Sequence, residues 1–150
     1  MKMIAEQIRK LISDSKPELL KISKEDARKK EGADIWSKQE IIGHLIDSTS
    51  NNHQRFVRGA YNVASDFPAY DQVQWVNIQC YNELNWPQLV ELFTSYNLHL
   101  CRILDSLPGE VLNNPCNIGK ENPVPLQFVI KDYLRHMKHH IARILENPED

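Results

Sequence analysis

The sequence predicts an all-α protein built as a four-helix bundle. Apolar residues recur at helical spacing in four long segments of the 150-residue chain. Only five glycines are present, and no stretch alternates apolar and polar residues with the period of a strand. Four amphipathic segments joined by loops are typical of a bundle. We therefore expect a single four-helix domain over residues 1–150.

The first helix is predicted from about Lys2 to Ser23. Its apolar residues mark one face: Ile4, Ile8, Leu11, Ile12, Leu19, Leu20 and Ile22. Pro17 lies inside this segment and removes a backbone donor, so a kink or a break into two helices is expected near Ser15 and Lys16. A charged linker over residues 24–34 should follow.

The second helix has the clearest start in the chain. Ser37-Lys38-Gln39-Glu40 matches a capping box, in which the serine hydroxyl and the glutamate carboxylate each accept a hydrogen bond from the other residue's backbone N–H. Trp36, just before the cap, is expected to pack on Ile41 as a hydrophobic staple. The helix should then run to about Gly59.

Two further long helices complete the bundle. The third is predicted to begin near Trp86-Pro87, because proline in the first turn of a helix costs no hydrogen bond. Pro108-Gly109 is a strong signal for its end. The last helix is predicted over about Leu126–Leu145. Its apolar stripe comprises Leu126, Ile130, Leu134, Met137, Ile141 and Ile144.

Composition excludes several classes of partner. The formal net charge is -2 and the two signs of charge are intermixed, which disfavours nucleic-acid binding through a basic surface. No apolar run approaches the roughly 20 residues that span a bilayer, and the first residues lack the pattern of a signal peptide. Cys80, Cys101 and Cys116 show no CxxC spacing, as expected for reduced thiols. We expect a cytoplasmic protein that acts on a small molecule.

Three histidines form a candidate metal site. His136 and His140 are four residues apart on the last helix, so they project from the same side with Cβ atoms about 6 Å apart and could bind one ion. His44, one turn into the second helix at the edge of its apolar face, is the natural third ligand. The other histidines are assigned to the surface or to packing: His53, His99 and His139.

These residues resemble the DinB-like superfamily. The resemblance rests on Trp36-Ser37-x-x-Glu40-x-x-x-His44-Leu45-x-Asp47, on His136-x-x-x-His140, and on Phe67-Pro68-x-Tyr70-Asp71-Gln72-x-x-Trp75. It covers nearly the whole chain. It implies a four-helix bundle with a three-histidine site for one divalent ion, zinc or nickel, whose ligands fall on His44, His136 and His140. One position departs from the family pattern: Arg143 stands where glutamine is frequent.

The resemblance also implies a class of reaction. Three protein ligands leave a position on the ion for water or substrate, as in catalytic sites. The leading interpretation is a transferase that joins a low-molecular-weight thiol co-substrate to an electrophilic small molecule. The alternatives are a metal-dependent hydrolase and a protein that binds a metal or ligand without catalysis.

Few residues suggest themselves as catalytic groups. Asp47 and Asp132 are the candidates, because carboxylates near metal-bound histidines orient the rings or accept protons, although exposed surface acids would look the same. Tyr70 and Asp71 are candidates to line a pocket. Trp75 could join them, but the core is the better assignment for it.

The segment between Tyr61 and Asn85 is of mixed character. We expect a turn at Phe67-Pro68 and a short helix from Asp71 to Tyr81. Here and nearby the chain has extra apolar residues, namely Val57, Trp75, Val76 and Ile78. They could be buried within the chain or form the interface of a symmetric homodimer. The homodimer is the interpretation we favour.

Overall fold

The computed structural model describes residues 1–61 and 65–145. It contains four long helices: α1 (Lys2–Lys21), α3 (Lys38–Tyr61), α5 (Trp86–Ser106) and α6 (Leu126–Leu145). Helices α1 and α3 each pack against both α5 and α6, so the order around the bundle is α1, α5, α3, α6. The predicted all-α four-helix bundle is confirmed.

Two pairs of long helices that are consecutive in the sequence lie diagonally opposite each other in the bundle. These pairs are α1 with α3, and α5 with α6. The connection from α1 to α3 contains a short helix, α2 (Lys24–Arg28), which packs against α3. The prediction that residues 24–34 form a charged linker was therefore wrong for residues 24–28. The side chain of Ser23 accepts a hydrogen bond from the Asp26 N–H at 3.1 Å, and Ala27 is fully buried, so capping and burial stabilise one helical turn.

The connection from α5 to α6 takes part in a small sheet that the sequence did not reveal. Strand β1 (Ser65–Asp66) pairs in parallel with β2 (Pro115–Asn117), and β2 pairs antiparallel with β3 (Val124–Pro125). Strands of two or three residues are too short for an alternating pattern to be recognised. Strand β3 runs directly into α6 and so fixes the start of that helix.

Helix α1 continues through Pro17 without the predicted break. Residues on both sides of the proline are buried, among them Ile12 and Leu19, and the Trp86 indole N–H donates to the Leu19 carbonyl oxygen at 2.9 Å. Burial of this apolar face outweighs the one backbone hydrogen bond that proline removes.

The apolar stripe predicted for α6 is buried along its whole length and joins one continuous core with the other long helices. Between α3 and α5, the short helix α4 (Gln72–Gln79) is followed by a 3-10 turn, Tyr81–Glu83. None of the described helices is long and apolar enough to cross a membrane. The cysteines are free thiols, as predicted.

The capping box at the start of α3 is present as predicted. Ser37 donates its N–H to Glu40 Oε2 at 2.7 Å, and Ser37 Oγ accepts from the Glu40 N–H at 3.1 Å. The Ser37 hydroxyl also donates to Asn82 Oδ1 at 2.7 Å, which ties the helix start to the turn after α4. The Trp36 ring lies against that of His44, with centroids 5.0 Å apart.

Replacing Ser37 with alanine is expected to lower the free energy of unfolding by about 0.5–2 kcal/mol, because the cap and the bond to Asn82 are both lost. Urea denaturation would measure this. Ser95→Ala, at an exposed position on α5, is the matched control and should change stability by less than about 0.5 kcal/mol. A Ser37 variant as stable as the control would show that the capping box contributes nothing.

Candidate metal centre

The structure brings the three predicted histidines together. His44 comes from α3, and His136 and His140 come from α6, one helical turn apart. One ring nitrogen from each lies within 4.8 Å of the others, and Nε2 of His44 is 3.1 Å from Nε2 of His136. The ring of His140 lies 5.0 Å from that of His44 and 4.5 Å from that of His136, measured between centroids.

This arrangement fits a divalent cation. Two nitrogens that each lie about 2.0–2.1 Å from one ion, at tetrahedral or octahedral angles, are separated by roughly 2.8–3.4 Å. In addition, Nδ1 of His44 and Nδ1 of His140 are buried without a hydrogen-bond partner in the described part of the chain. A buried nitrogen left unpaired costs about 1–3 kcal/mol. An ion coordinated by Nε2 of His44 would leave Nδ1 of that ring protonated and unpaired, so the fit to a cation rests on the spacing of the nitrogens and on a donor set of three neutral imidazoles.

Burial keeps all three imidazoles neutral at physiological pH. It lowers the pKa of His44 to about 4, with a smaller contribution from the neighbouring His136. It lowers the pKa of His140 to about 3, helped by the other histidines of the cluster and by Arg143. Burial also lowers the pKa of His136, although the nearby Asp132 opposes the change. The neutral form is the one that coordinates a metal.

The metal-free protein is expected to lose stability as the pH falls from 6.5 towards 4. In the unfolded chain the histidines take up protons with a pKa near 6.5, whereas folded His44 stays neutral down to about pH 4. The unfolded state then binds more protons, so the contribution is fully present above pH 6.5 and is lost as pH falls. The loss should reach about 3 kcal/mol for His44 at pH 4.

Urea denaturation in the presence of a chelator, at several pH values, would measure this loss. Carboxylates also titrate near pH 4, so the comparison that isolates His44 is with the His44→Asn variant. That variant should show a shallower decline than the wild type between pH 6.5 and 4. Two parallel curves would contradict the expectation.

Polar side chains on α3 support the cluster. Ser48 Oγ lies 3.5 Å from Nδ1 of His136, at the limit of a hydrogen bond. Asn52 Nδ2 donates to the Ser48 carbonyl oxygen at 2.9 Å and to Ser48 Oγ at 3.3 Å. These contacts restrain the Ser48 side chain beside the His136 ring, which is how polar neighbours orient metal-binding histidines.

A buried polar network lies about one turn from the histidines and joins three helices. Thr49 of α3 and Tyr133 of α6 have hydroxyl oxygens 2.9 Å apart, and Asn97 Nδ2 of α5 donates to Thr49 Oγ1 at 3.2 Å. The Tyr133 hydroxyl also contacts Asn97 Oδ1. The sequence analysis did not identify this network, because each member looks like an ordinary helix residue until the helices are packed.

A cavity of about 170 Å³ opens beside His44 and His136. Polar and apolar surface contribute about equally to its wall, and its polar side chains include Ser48, Asn52, Arg55, Tyr70 and Asp132. Its volume is close to that of an engineered cavity of about 150 Å³ that binds benzene. The site is therefore sized for a small molecule.

The two predicted carboxylates have different surroundings. Asp132 lines the cavity, and its Oδ1 accepts hydrogen bonds from Arg135 at 3.1 and 2.7 Å. Asp47 does not line it: its Oδ1 accepts from the Tyr81 hydroxyl at 2.6 Å and from Gln79 Nε2 at 2.7 Å. Burial raises the pKa of Asp47, and these two bonds oppose the change. Asp47 thus anchors the end of α4.

The residues predicted to line a pocket also differ in their surroundings. Tyr70 lines the cavity, whereas Asp71 caps α4 by accepting from two backbone N–H groups. Trp75 packs its ring against Tyr70 but is 37% exposed, so its assignment to the core was wrong. Of the other residues proposed for a dimer interface, Val57 and Ile78 are also exposed, whereas Val76 is buried.

The remaining histidines have the positions predicted for them. His139 is exposed on α6, with its ring 5.2 Å from that of His140. His53 and His99 pack their rings together at 5.3 Å, and Nδ1 of His53 lies 3.2 Å from the Tyr96 hydroxyl. They form a contact between α3 and α5 on another side of the bundle.

Among the residues of the cavity wall that were missed from the sequence, three lie on α3, namely Ser48, Asn52 and Arg55. They follow His44 by four, eight and eleven residues, so at about 100° per residue they share its helix face. A search of the sequence for polar residues that share the helix face of His44 would have identified them.

Comparison with known proteins identifies a family and similar solved structures. A family model described as the DinB superfamily matches residues 7–144. The solved structure of YfiT from Bacillus subtilis, described as a probable metal-dependent hydrolase with an unusual four-helix bundle topology, superposes with a TM-score of 0.86 and 16% identity. That superposition covers 97% of this chain and 83% of YfiT. No curated protein sequence matches.

A second solved structure is that of the mycothiol-dependent maleylpyruvate isomerase. It superposes with a TM-score of 0.76 and 12% identity, over 95% of this chain and 59% of the isomerase. At these identities both likenesses establish the fold alone, which is the four-helix bundle described above.

Proposed function

Because the chain belongs to the DinB superfamily, we propose that it is a metal-dependent enzyme whose single divalent ion, zinc or nickel, is held by His44, His136 and His140. The proposed reaction is the transfer of a small thiol to an electrophilic small molecule. One observation carries the proposal: three neutral ring nitrogens converge within 4.8 Å beside a small polar cavity.

When bound, the ion would act as a Lewis acid that lowers the pKa of a thiol or a water molecule. The chain itself supplies the rest of the site. Trp36 and Ser48 restrain the rings of His44 and His136, so the nitrogens stay aimed at a common point. The buried network of Thr49, Asn97 and Tyr133 holds α3 and α6 together nearby.

The carboxylates favour thiol transfer over hydrolysis. Hydrolysis is faster with a base that takes the proton of the attacking water and passes it to the leaving group, and of the described residues that line the cavity Asp132 is the one carboxylate. Arg135 already binds that carboxylate. A thiol whose pKa is lowered becomes a nucleophilic thiolate near neutral pH and needs no such base.

Metal-dependent hydrolysis of a small molecule is the second candidate. The likeness to YfiT, itself described as a probable metal-dependent hydrolase, favours it. In that case Asp132 would serve as the base. A protein that binds a metal or a ligand without catalysis is the third candidate, and a lack of turnover distinguishes it from both enzymes.

The test is an assay of protein loaded with zinc or nickel. Thiol–electrophile pairs, such as cysteine with crotonamide, are compared with ester substrates in the absence of thiol. Product formation above the spontaneous rate should occur with the thiol pairs and disappear in His136→Ala, while His139→Ala retains it. Ester hydrolysis without thiol would favour the hydrolase, and turnover of neither would favour the binding protein.

A homodimer in the cytoplasm is part of the same proposal. The exposed apolar residues Val57, Trp75 and Ile78 are available for an interface between two copies. Sedimentation at micromolar concentration would contradict the dimer if it gave one species of 17.5 kDa.

A further inference from the structure

Arg55 is a cation in the wall of the cavity that forms no ion pair with a carboxylate of the described residues, although Asp132 is near enough to raise the pKa of its guanidinium. Its side chain borders the cavity together with His44, His136 and Tyr70. Within residues 1–61 and 65–145, no carboxylate pairs with its guanidinium, and no hydrogen bond to it is found. The nearest acidic group in the cavity wall, Asp132, is instead bound by Arg135.

The guanidinium of Arg55 is partly desolvated but remains charged. Burial lowers the pKa of its guanidinium, but an arginine remains protonated throughout the physiological range. Tyr70, on the same wall, has its pKa raised to about 12 by burial, so its hydroxyl remains a donor. Both groups can therefore donate hydrogen bonds to a molecule in the cavity, and the guanidinium has no acceptor of its own.

Arg55 lies towards the other end of the cavity from the histidines. It follows His44 by eleven residues on α3, a rise of about 16 Å along the helix axis. Long side chains on a helix lean towards its N-terminus, which here is the direction of His44. A small molecule that fills the cavity therefore meets the histidine cluster at one end and Arg55 at the other.

We propose that Arg55 binds the carboxylate of the electrophilic substrate, so that the enzyme acts on small unsaturated or otherwise electrophilic carboxylic acids. This inference rests on the proposed function for its electrophile. The planar guanidinium fork matches a carboxylate, and one positive charge balances one negative charge. A phosphate dianion would need a second cation, and Asp132 on the same wall repels a dianion more strongly than it repels a carboxylate. The cavity volume of about 170 Å³ suits an acid of a few carbon atoms.

Crotonate and crotonamide are suitable probes, since they share one carbon skeleton and differ in charge. Each is titrated into ¹⁵N-labelled protein and followed by NMR, with the protein either treated with chelator or loaded with zinc. Zinc itself binds carboxylates, so the chelated arm isolates the contribution of Arg55. We expect wild-type protein to bind crotonate about tenfold more tightly than crotonamide in that arm.

The Arg55→Gln variant should lose this preference, and Arg55→Lys should keep only part of it, because lysine retains the charge without the planar fork. Arg102→Gln, at an exposed position on α5, removes the same charge elsewhere and should leave the preference unchanged. Circular dichroism checks the folding of each variant. If Arg55→Gln fails to fold, Arg55→Lys decides: an undiminished preference overturns the proposal.

Equal affinity of wild-type protein for the two probes, or a preference that survives Arg55→Gln, would also overturn it. These outcomes are separate from failure of the proposed function. The chelated arm involves no metal, whereas the proposed reaction is tested by product formation in the metal-loaded protein. A crotonate preference without thiol transfer would leave an acid-binding site and refute the transferase.

Discussion

Replacement of His136 or His140 with alanine is expected to abolish high-affinity binding of zinc or nickel. The dissociation constant should rise by more than about 100-fold. The loss of a partner that merely orients a ligand already costs about 10–100-fold, and the loss of a ligand should cost more. Metal content per chain, together with competition against a chromophoric chelator, would measure the effect. The wild type should bind one ion per chain.

His139→Ala is the matched control, because His139 lies on the same helix but is exposed. It should leave binding nearly intact. His44→Ala tests the contribution across the helix pair and should resemble His136→Ala. If His139→Ala empties the site while His136→Ala does not, the assignment of ligands to the buried side of α6 is wrong.

Gly43→Ala is expected to destabilise the fold by about 2–3 kcal/mol. A Cβ atom at this position would lie 2.1 Å from Cδ2 and 2.2 Å from Cγ of the Tyr81 ring. That ring is buried and its hydroxyl donates to Asp47, so it has little room to move. The clash outweighs the gain of about 1 kcal/mol that alanine normally brings to a helix interior.

Urea denaturation would measure the destabilisation. Gly109→Ala is the control, since a Cβ atom there meets no atom of the described residues within 4 Å. In a Tyr81→Ala background the Gly43→Ala substitution should be neutral or stabilising, because the ring that it strikes is gone. A Gly43→Ala single variant as stable as the wild type would mean that Tyr81 does not pack against α3 as described.

The sequence was informative where structure is local. The i, i+4 spacing of His136 and His140 defines one helix face, and the capping box at Ser37 marks a helix start without knowledge of the fold. Both features are present in the structure. The approach of His44 depends instead on how α3 packs against α6, and its assignment drew on family resemblance as well as on helix position.

Other features depend on packing that no local pattern encodes. Periodicity cannot distinguish Asp47, which turns towards Tyr81, from Asp132, which lines the cavity. Likewise Trp75 is apolar and was assigned to the core, but α4 presents it at the surface. No pattern in the sequence marks Arg55, because the cavity beside it forms only when the helices pack.

The polar network between Thr49, Asn97 and Tyr133 determines where the chain tolerates insertions and deletions. One residue inserted between Tyr133 and His136 would shift His136 by about 1.5 Å and rotate it by roughly 100° relative to Tyr133. Either the histidines or the buried hydroxyls would then lose their partners, at about 1–3 kcal/mol for each buried group. Length changes during divergence should therefore accumulate in the connections between the long helices. The intervals from His44 to Thr49 and from Tyr133 to His140 should keep their length even where the residues between them change.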